Sequence, residues 1–188
     1  MNTADIFAHA LTAGDFANAL TAGDDAHATT TGFNAHATTT SDDAHATTAG
    51  NFSHATTAGD SAYATTSGNY ARATTSGNYA HALTAGDFSC ATTAGHCASA
   101  ATAGFLSSAS ASAGFLSSAS APGENAIAAA FGANSAARAA DGGFIVLAQY
   151  DGDTVVAVKT AQVGRDGIKP DTWYKLSPTG EFVEAEVE

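Results

Sequence analysis

A glycine recurs every nine residues through most of this 188-residue chain. The series runs from Gly14 to Gly132, has Ser41 in one place and lengthens once to ten residues before Gly114. Counted from Asp5, it defines fifteen nonapeptide units. A tandem period of this length is typical of folds in which each unit stacks on its neighbours. The sequence therefore predicts a solenoid, with a bulge at the ten-residue unit.

Restricted positions within the unit predict its secondary structure. With glycine as position one, position four is Ala or Ser, position six is Ala, and position eight is Thr up to Thr102 and Ala thereafter. Alternate side chains of a strand face opposite ways, so these positions should point inward, and the variable positions five and seven outward. Asp or Asn at position two should complete a turn after glycine, since these residues tolerate positive φ. Frequent glycine and Thr-Thr pairs disfavour helices.

These features predict an all-β fold. Two nonapeptides form one coil of 18 residues, with a strand on each side of a thin alanine-rich core, and the resulting parallel β-solenoid spans residues 1–141. Beyond Asp141 the period is lost. For residues 142–188 we predict a small antiparallel β module of two hairpins, with strands at 143–150, 154–163, 172–176 and 182–187. We expect this module to cap the solenoid or to mediate oligomerisation.

The chain is strongly acidic, with 18 acidic and six basic side chains and a net charge of −12. Phosphate binding requires clustered Lys and Arg, so we expect no direct contact with nucleic acid or an anionic membrane. The first ten residues lack the basic and apolar regions of a signal peptide, which predicts a cytoplasmic protein. Cys90 and Cys97, the only two cysteines, should therefore be free thiols.

Units two apart share a face, so position five forms two columns. One column contains His9, His27, His45, Tyr63 and His81, and the other contains Asn18, His36, His54, Arg72 and Cys90. Stacked imidazoles about 4.8 Å apart should lower one another's pKa values by repulsion. The columns are either solvated ladders or partner-binding stripes. They lack the convergent geometry of a metal site, so no metal is expected.

The turns carry aromatic and acidic residues. Aromatic side chains at positions two and three either pack against the corners of the coil or form an exposed edge that marks an interface. They are Phe7, Phe16, Phe52, Tyr70, Tyr79 and Phe88 at position three and Phe33, Phe105 and Phe115 at position two. Acidic side chains at position two would form a charged stripe. The candidate partner-binding residues are His27, His36, His45, His54, Arg72, His81, Phe52, Tyr70, Tyr79, Phe88, Asp24, Asp42 and Asp60.

No catalytic motif is present in the sequence. It has no Gly-x-Ser-x-Gly elbow, phosphate-binding loop, His-Glu-x-x-His or Cys-x-x-Cys motif. Identical columns also do not build a single asymmetric pocket. We therefore expect a protein that is not an enzyme and has no cofactor.

The unit Gly-Asp-x-Ala/Ser-x-Ala-Thr-Thr-x, the stretch Ala129–Gly132 and the terminal stretch Asp171–Leu176 resemble repeat proteins of bacteriophages and prophages. That resemblance covers nearly the whole chain and implies the host cytoplasm, but no particular activity. The period is also similar to that of RTX calcium-binding rolls. Their Gly-Gly-x-Gly-x-Asp turn is missing, so calcium is not expected. In plan, an acidic solenoid with a C-terminal module resembles pentapeptide-repeat proteins that mimic DNA.

The favoured hypothesis is a non-catalytic protein that presents His, Thr and aromatic columns to a protein partner. One alternative is an acidic DNA mimic that inhibits a host nucleic-acid enzyme of restriction or CRISPR type, with Asp side chains in place of phosphates. Another is a structural protein of a virion or fibre. Because the repeats begin close to Met1 without a visible cap, we also expect a homo-oligomer, most simply a dimer, in which a second copy covers that end.

Overall fold

Successive nonapeptides alternate between two parallel sheets in the computed structural model, which describes residues 8–186. Each unit contributes one short strand and then turns across to the opposite sheet. Coils 18 residues apart stack into about eight turns. The predicted all-β parallel solenoid with antiparallel strands at its C-terminal end is confirmed.

Nineteen strands follow one another in the described part of the chain. In chain order they are β1 His9–Ala13, β2 Asn18–Thr21, β3 His27–Thr31, β4 His36–Thr39, β5 His45–Ala49, β6 His54–Ala58, β7 Tyr63–Ser67, β8 Arg72–Ser76, β9 His81–Ala85, β10 Cys90–Ala94, β11 Ser99–Ala103, β12 Ser108–Ala113, β13 Ser118–Ala121, β14 Ile127–Ala130, β15 Ala136–Ala139, β16 Phe144–Asp151, β17 Thr154–Gln162, β18 Tyr174–Leu176 and β19 Phe182–Glu184. The first sheet contains the odd-numbered strands β1 to β15, then β18 and β19. The second contains the even-numbered strands β2 to β16, then β17.

The core is a narrow layer of small side chains between the two sheets. Every alanine at position six from Ala19 to Ala137 is buried. The threonines at position eight from Thr21 to Thr102 are buried as well. The predicted inward positions are thus confirmed. Since alanine offers little apolar area, the continuous backbone ladder and the stacking of identical side chains must carry much of the stability.

The stacking register is strict, so each residue pairs with its counterpart one coil further on, as His27 does with His45. The one irregularity in the repeat ladder lies at the ten-residue unit, where Thr93 pairs with Ala111 but Ala94 pairs with Ala113. The extra residue, Ser112, is exposed, and its hydroxyl donates to the Thr93 carbonyl at 3.0 Å. The predicted bulge is confirmed.

The turns use positive φ at positions one and three. At position one, Gly50 has φ 146°, and a Cβ there would overlap the backbone oxygen of Gly32, one coil earlier. At position three, Phe52 has φ 60°. The expectation of positive φ at position two was wrong. An Asp or Asn at that position instead links coils, as when the Asp60 carboxylate accepts the backbone N–H of Asn78 at 2.7 Å.

The C-terminal strands continue both sheets and then reverse direction. β16 pairs in parallel with β14, so the ladder continues past residue 141, where the sequence period ends. β17 pairs antiparallel with β16, and β18 pairs antiparallel with both β15 and β19. Both predicted hairpins are confirmed as far as residue 186, and they cover the C-terminal end of the repeat ladder.

The opposite end of the described chain is formed by β1 and β2, the outermost strands of their sheets. Asp5 and Phe7, which open the repeat series in the sequence, lie outside the described residues. Residues 8–186 contain no helix that could span a membrane.

Candidate partner-binding surfaces

The 18-residue coil sorts the outward side chains into four long surfaces. Position five forms a histidine face on the first sheet and a mixed face on the second. The turns from the first sheet to the second form one edge, which we call the aromatic edge. The turns in the other direction form the opposite edge, which we call the acidic edge. Each surface repeats one place in the coil at successive turns.

The histidine face is a continuous ladder of stacked rings. Adjacent ring centroids lie 4.7–4.9 Å apart and their planes agree within 12° along His9, His27, His45, Tyr63 and His81. Except for His9 and Tyr63, these rings are only half-exposed, because each covers part of its neighbours. The predicted column is confirmed.

The mixed face contains a shorter ladder on the second sheet. His36 and His54 stack at 4.7 Å, and the strand register places Arg72 and then Cys90 beyond them. This second predicted column is also confirmed. His54 Nδ1 is buried and has no hydrogen-bond partner among the described residues. Cys90 and Cys97 are both free, as predicted.

Burial is the first cause of the lowered histidine pKa values. The pKa of His45 is lowered by desolvation and then by the His27 imidazole, against an opposing effect of nearby Asp carboxylates. Desolvation also comes first for the lowered pKa of His54, ahead of His36 and Arg72, and it lowers the pKa of His81. The sequence predicted lowered pKa values from repulsion between stacked imidazoles alone, and that repulsion is a smaller cause than desolvation.

The aromatic edge carries one ring on each of six successive coils, and all six rings are exposed. They are Phe16, Phe33, Phe52, Tyr70, Phe88 and Phe105. The central rings stack nearly parallel, with Tyr70 4.9 Å from Phe52 and 5.0 Å from Phe88. The outer pairs are tilted or edge-on at 5.3–6.1 Å. Of the two predicted arrangements, the structure has the exposed edge.

The acidic edge uses the same turn, but no ring stands on its first three coils, and Tyr79 and Phe115 are exposed on later coils. Its first three coils carry five carboxylates, from Asp24, Asp25, Asp42, Asp43 and Asp60. At position three, φ is 53° for Asp43 and 55° for Ser61, close to the 60° of Phe52 on the opposite edge. The turn therefore accepts small polar residues as readily as rings, so the fold does not require the aromatic ladder.

The predicted site residues are distributed over all four surfaces. The histidines and Arg72 occupy the two faces, and three of the four aromatic residues lie together on the aromatic edge. The fourth, Tyr79, lies on the opposite edge with the aspartates. Asp42 and Asp60 each use one carboxylate oxygen to accept the backbone N–H one coil on, at 2.9 and 2.7 Å. They are thus structural links as well as charges.

A groove of about 910 Å³, which we call the C-terminal groove, lies where the acidic edge and the histidine face meet β18 and β19. Its walls include Tyr79, His81, Ser99, Leu116, Trp173 and Lys175. The Arg138 guanidinium lies over the Trp173 ring, 4.7 Å from its centroid, and holds the indole in place by a cation–π contact. Repeats and C-terminal module together thus form one asymmetric cavity.

The candidate binding residues predicted from the sequence did not include Trp173, Ser99 or the outer rings of the aromatic edge. Trp173 is the only tryptophan, which was the available signal, but its distance from the repeats hid the groove. The outer rings Phe33 and Phe105 occupy position two rather than three. Counting by 18 residues would have placed both on the same edge as Phe52 and would have placed Tyr79 on the opposite edge.

Metal and family comparisons give no further assignment. No group of three or more His, Cys, Asp or Glu residues in the range 8–186 is placed to hold a metal ion. The chain matches no protein-family model, no curated protein and no solved structure.

Proposed function

We propose that this protein is a non-catalytic binding protein that holds an extended segment of a protein partner along its histidine face, anchored in the C-terminal groove. The observation that carries the proposal is the groove itself. It joins two residues of the repeat surface, Tyr79 and His81, to Trp173 of the C-terminal module. No other described feature combines concavity, aromatic walls and access from a long open surface.

The chemistry of the groove suits an anchor. Tyr and Trp supply much of the binding energy at protein interfaces when they line a well-packed pocket. Trp173 is already held by Arg138, so little side-chain freedom is lost when a partner binds. Ser99, Asn134 and Lys175 add hydrogen-bond donors and acceptors around the apolar wall. This combination favours a polypeptide segment with one apolar side chain and several polar backbone groups.

Groove and histidine face form one strip. Ser99 pairs with His81 and then with Ser118, so the column that carries the histidines continues into the groove. At about 4.8 Å per coil the eight-coil strip is roughly 34 Å long. An extended segment of roughly ten residues has the same length. The ladder of backbone hydrogen bonds keeps this surface rigid, which reduces the entropy cost of binding.

Capture of proteins from a bacterial lysate on the immobilised chain tests the proposal, with Tyr79→Ser as the key variant. Ser61 occupies the same turn position on the same edge with nearly the same φ, so this change preserves the fold. The matched control is Tyr70→Asn on the aromatic edge. We expect a protein that the wild type and the control retain equally and that Tyr79→Ser retains at least about tenfold less. Retention that does not depend on Tyr79, or no retained protein, would contradict the proposal.

The acidic edge favours a second candidate, the acidic mimic of DNA. Its five carboxylates over three coils correspond to roughly one charge per 3 Å, against the ~1.7 Å of duplex DNA. The discriminating variant combines Asp42→Asn with Asp60→Asn, which removes two charges. It should keep the coil-to-coil hydrogen bonds, because Asn51 makes the same hydrogen bond from position two on the aromatic edge. A captured nucleic-acid enzyme that duplex DNA displaces, and that this variant loses, would favour mimicry over the first proposal.

A further inference from the structure

We propose that the aromatic edge is a self-association surface through which two copies of this chain pack side by side in antiparallel orientation. This inference does not depend on the proposed function, which uses the opposite edge and the histidine face. It also differs from the sequence-based expectation, in which a second copy covers the N-terminal end of the solenoid.

The fold does not explain the rings of the aromatic edge. Both edges have glycine at position one, apart from Ser41 on the acidic edge, and both have the left-handed position three and the coil-to-coil hydrogen bonds. Asn34 and Ser61 satisfy that geometry without a ring, and Asn adopts it more readily than Phe. Six successive coils nevertheless each expose one ring on the same edge. A contiguous apolar ridge of this kind is typical of an interface.

The exposed area is sufficient for a second copy. The six rings are 40–63% exposed, and at about 200 Å² per residue they offer roughly 570 Å² per chain. Leu106, on the sixth coil, is 47% exposed and extends the ridge. Complete burial of the six rings in two chains would remove about 1,100 Å² from solvent, near the lower end of specific interfaces. We therefore expect a reversible dimer.

The charges on the edge select the orientation. Position two is Asp15 on the first coil of the edge and Asp87 on the fifth, whereas Phe33 and Phe105 occupy it on the second and sixth. With a dyad between the third and fourth coils, Asp15 of one copy faces Phe105 of the other. Asp87 likewise faces Phe33. Each carboxylate then meets a ring edge, which is the positive part of an aromatic ring.

Other arrangements bring like charges together. Parallel packing places Asp15 opposite Asp15 and Asp87 opposite Asp87. An antiparallel shift that sets the first coil against the fifth opposes Asp15 to Asp87, and a shift that sets it against the seventh opposes Asp15 to Glu124. Both chains already carry a net charge of −12, so opposed carboxylates in a small interface would weaken it substantially. The central antiparallel register avoids all of these contacts.

In that register the middle of the interface is symmetric and uncharged. Phe52 of one copy faces Tyr70 of the other, and Asn51 faces Asn69. Both asparagines already accept along the edge within each chain, since Asn51 Oδ1 accepts the Asn69 N–H at 2.9 Å and Asn69 Oδ1 accepts the Asp87 N–H at 2.9 Å. This pair provides the site for an orientation test.

Sedimentation equilibrium of the full chain from about 1 to 300 µM tests the association. We expect a monomer–dimer equilibrium with a micromolar Kd. Replacement of Phe52, Tyr70 and Phe88 by Asn should raise the Kd at least about 100-fold, while Tyr79→Asn on the acidic edge should leave it unchanged. A monomer at all concentrations, or an association that the triple variant leaves intact, would overturn the proposal. Circular dichroism of the triple variant verifies that it folds.

Two further variants test the orientation. Asn51→Asp alone places a carboxylate against an asparagine in the antiparallel dimer and should change the Kd less than about twofold. Asn51→Asp combined with Asn69→Asp creates opposed carboxylates and should raise the Kd at least about tenfold at low salt, with recovery at high salt. Asp60 and Asp87 accept the same backbone hydrogen bond at this position, so both variants keep the ladder. If the single variant is as damaging as the double one, the antiparallel register is wrong.

Discussion

The carboxylate of Asp60 accepts a hydrogen bond from the backbone N–H of Asn78 at 2.7 Å, one coil further along the solenoid. Asn51 makes the same contact with the N–H of Asn69 at 2.9 Å. Since Asp and Asn both supply an oxygen at this place, position two tolerates a change of charge without a change of contact. The coil-to-coil link and the acidity of the edge are therefore separable.

That separation predicts different effects for two replacements of Asp60. Asp60→Asn keeps the oxygen that accepts the Asn78 N–H and loses only the 3.4 Å hydrogen bond from Asn78 Nδ2 to the second carboxylate oxygen, so it should change the free energy of unfolding by less than about 0.5 kcal/mol. Asp60→Ala removes the acceptor and should cost about 1 kcal/mol. Urea denaturation of the two variants measures the difference. Equal losses in both variants would show that the charge, rather than the hydrogen bond, stabilises the turn.

Glycine at position one should be far less replaceable than glycine elsewhere. In Gly50→Ala the new Cβ overlaps the backbone oxygen of Gly32 and the residue must keep φ 146°, so we expect a loss of roughly 2–4 kcal/mol. Gly152→Ala is the control, because φ is 59° there and no atom lies within 4 Å of the Cβ. It should cost about 1 kcal/mol. Thermal denaturation that finds the two variants equally stable would contradict the steric argument.

Threonine at position eight offers a way to stabilise the core. The Thr57 hydroxyl is buried and has no hydrogen-bond partner among the described residues, so Thr57→Val should raise the free energy of unfolding by about 1 kcal/mol. Thr48→Val should lower it by a similar amount, because the Thr48 hydroxyl donates to Ser53 Oγ at 3.0 Å. Exposed Thr56→Val is the control and should be nearly neutral. Urea denaturation of the three variants should give that order of stability.

Acidification should destabilise the solenoid through its histidines. The pKa values of His45, His54 and His81 are lowered from 6.5 in the folded chain, so the unfolded chain takes up protons first as the pH falls. The stability is thus complete above pH 6.5 and declines as the pH falls from there through the lower folded values. Asn18 occupies the same column as His54. Replacing His54 by Asn should therefore reduce the loss of stability at low pH. Unfolding measured between about pH 8 and pH 5.5, where carboxylates stay ionised, tests it. A profile that does not change with pH would contradict the burial of these rings.

Much of the architecture could be predicted from one period and three restricted positions. Alanine at position six and threonine at position eight are buried as predicted. Alternate side chains of a strand face opposite sides, so these two positions face the core together while positions five and seven face solvent. The columns from His27 and His36 followed from the same count. A bulge was predicted at the ten-residue unit, since the register had to recover the nine-residue period, and the structure places it at Ser112.

The turns could be predicted less well. The sequence suggested positive φ for Asp and Asn at position two, whereas the left-handed residue is at position three, where Phe52 and Tyr70 adopt it. Local propensity favours Asn over Phe in that conformation, but the coil-to-coil hydrogen bonds outweigh it. The hydrogen bond from Asn78 to Asp60 joins residues 18 apart, so no local rule could have found it.

By itself, the sequence determined the all-β class, the 18-residue coil, the inward and outward positions and the end of the period near Asp141. Each follows from repetition, because identical units in identical surroundings must adopt the same structure. Only the tertiary structure decided which outward residues share a surface. Alternation between two sheets separates Tyr79 from Phe52, and the return of β18 to β15 brings Trp173 to the repeats. Such contacts join residues far apart in the chain, and the nine-residue period carries no information about them.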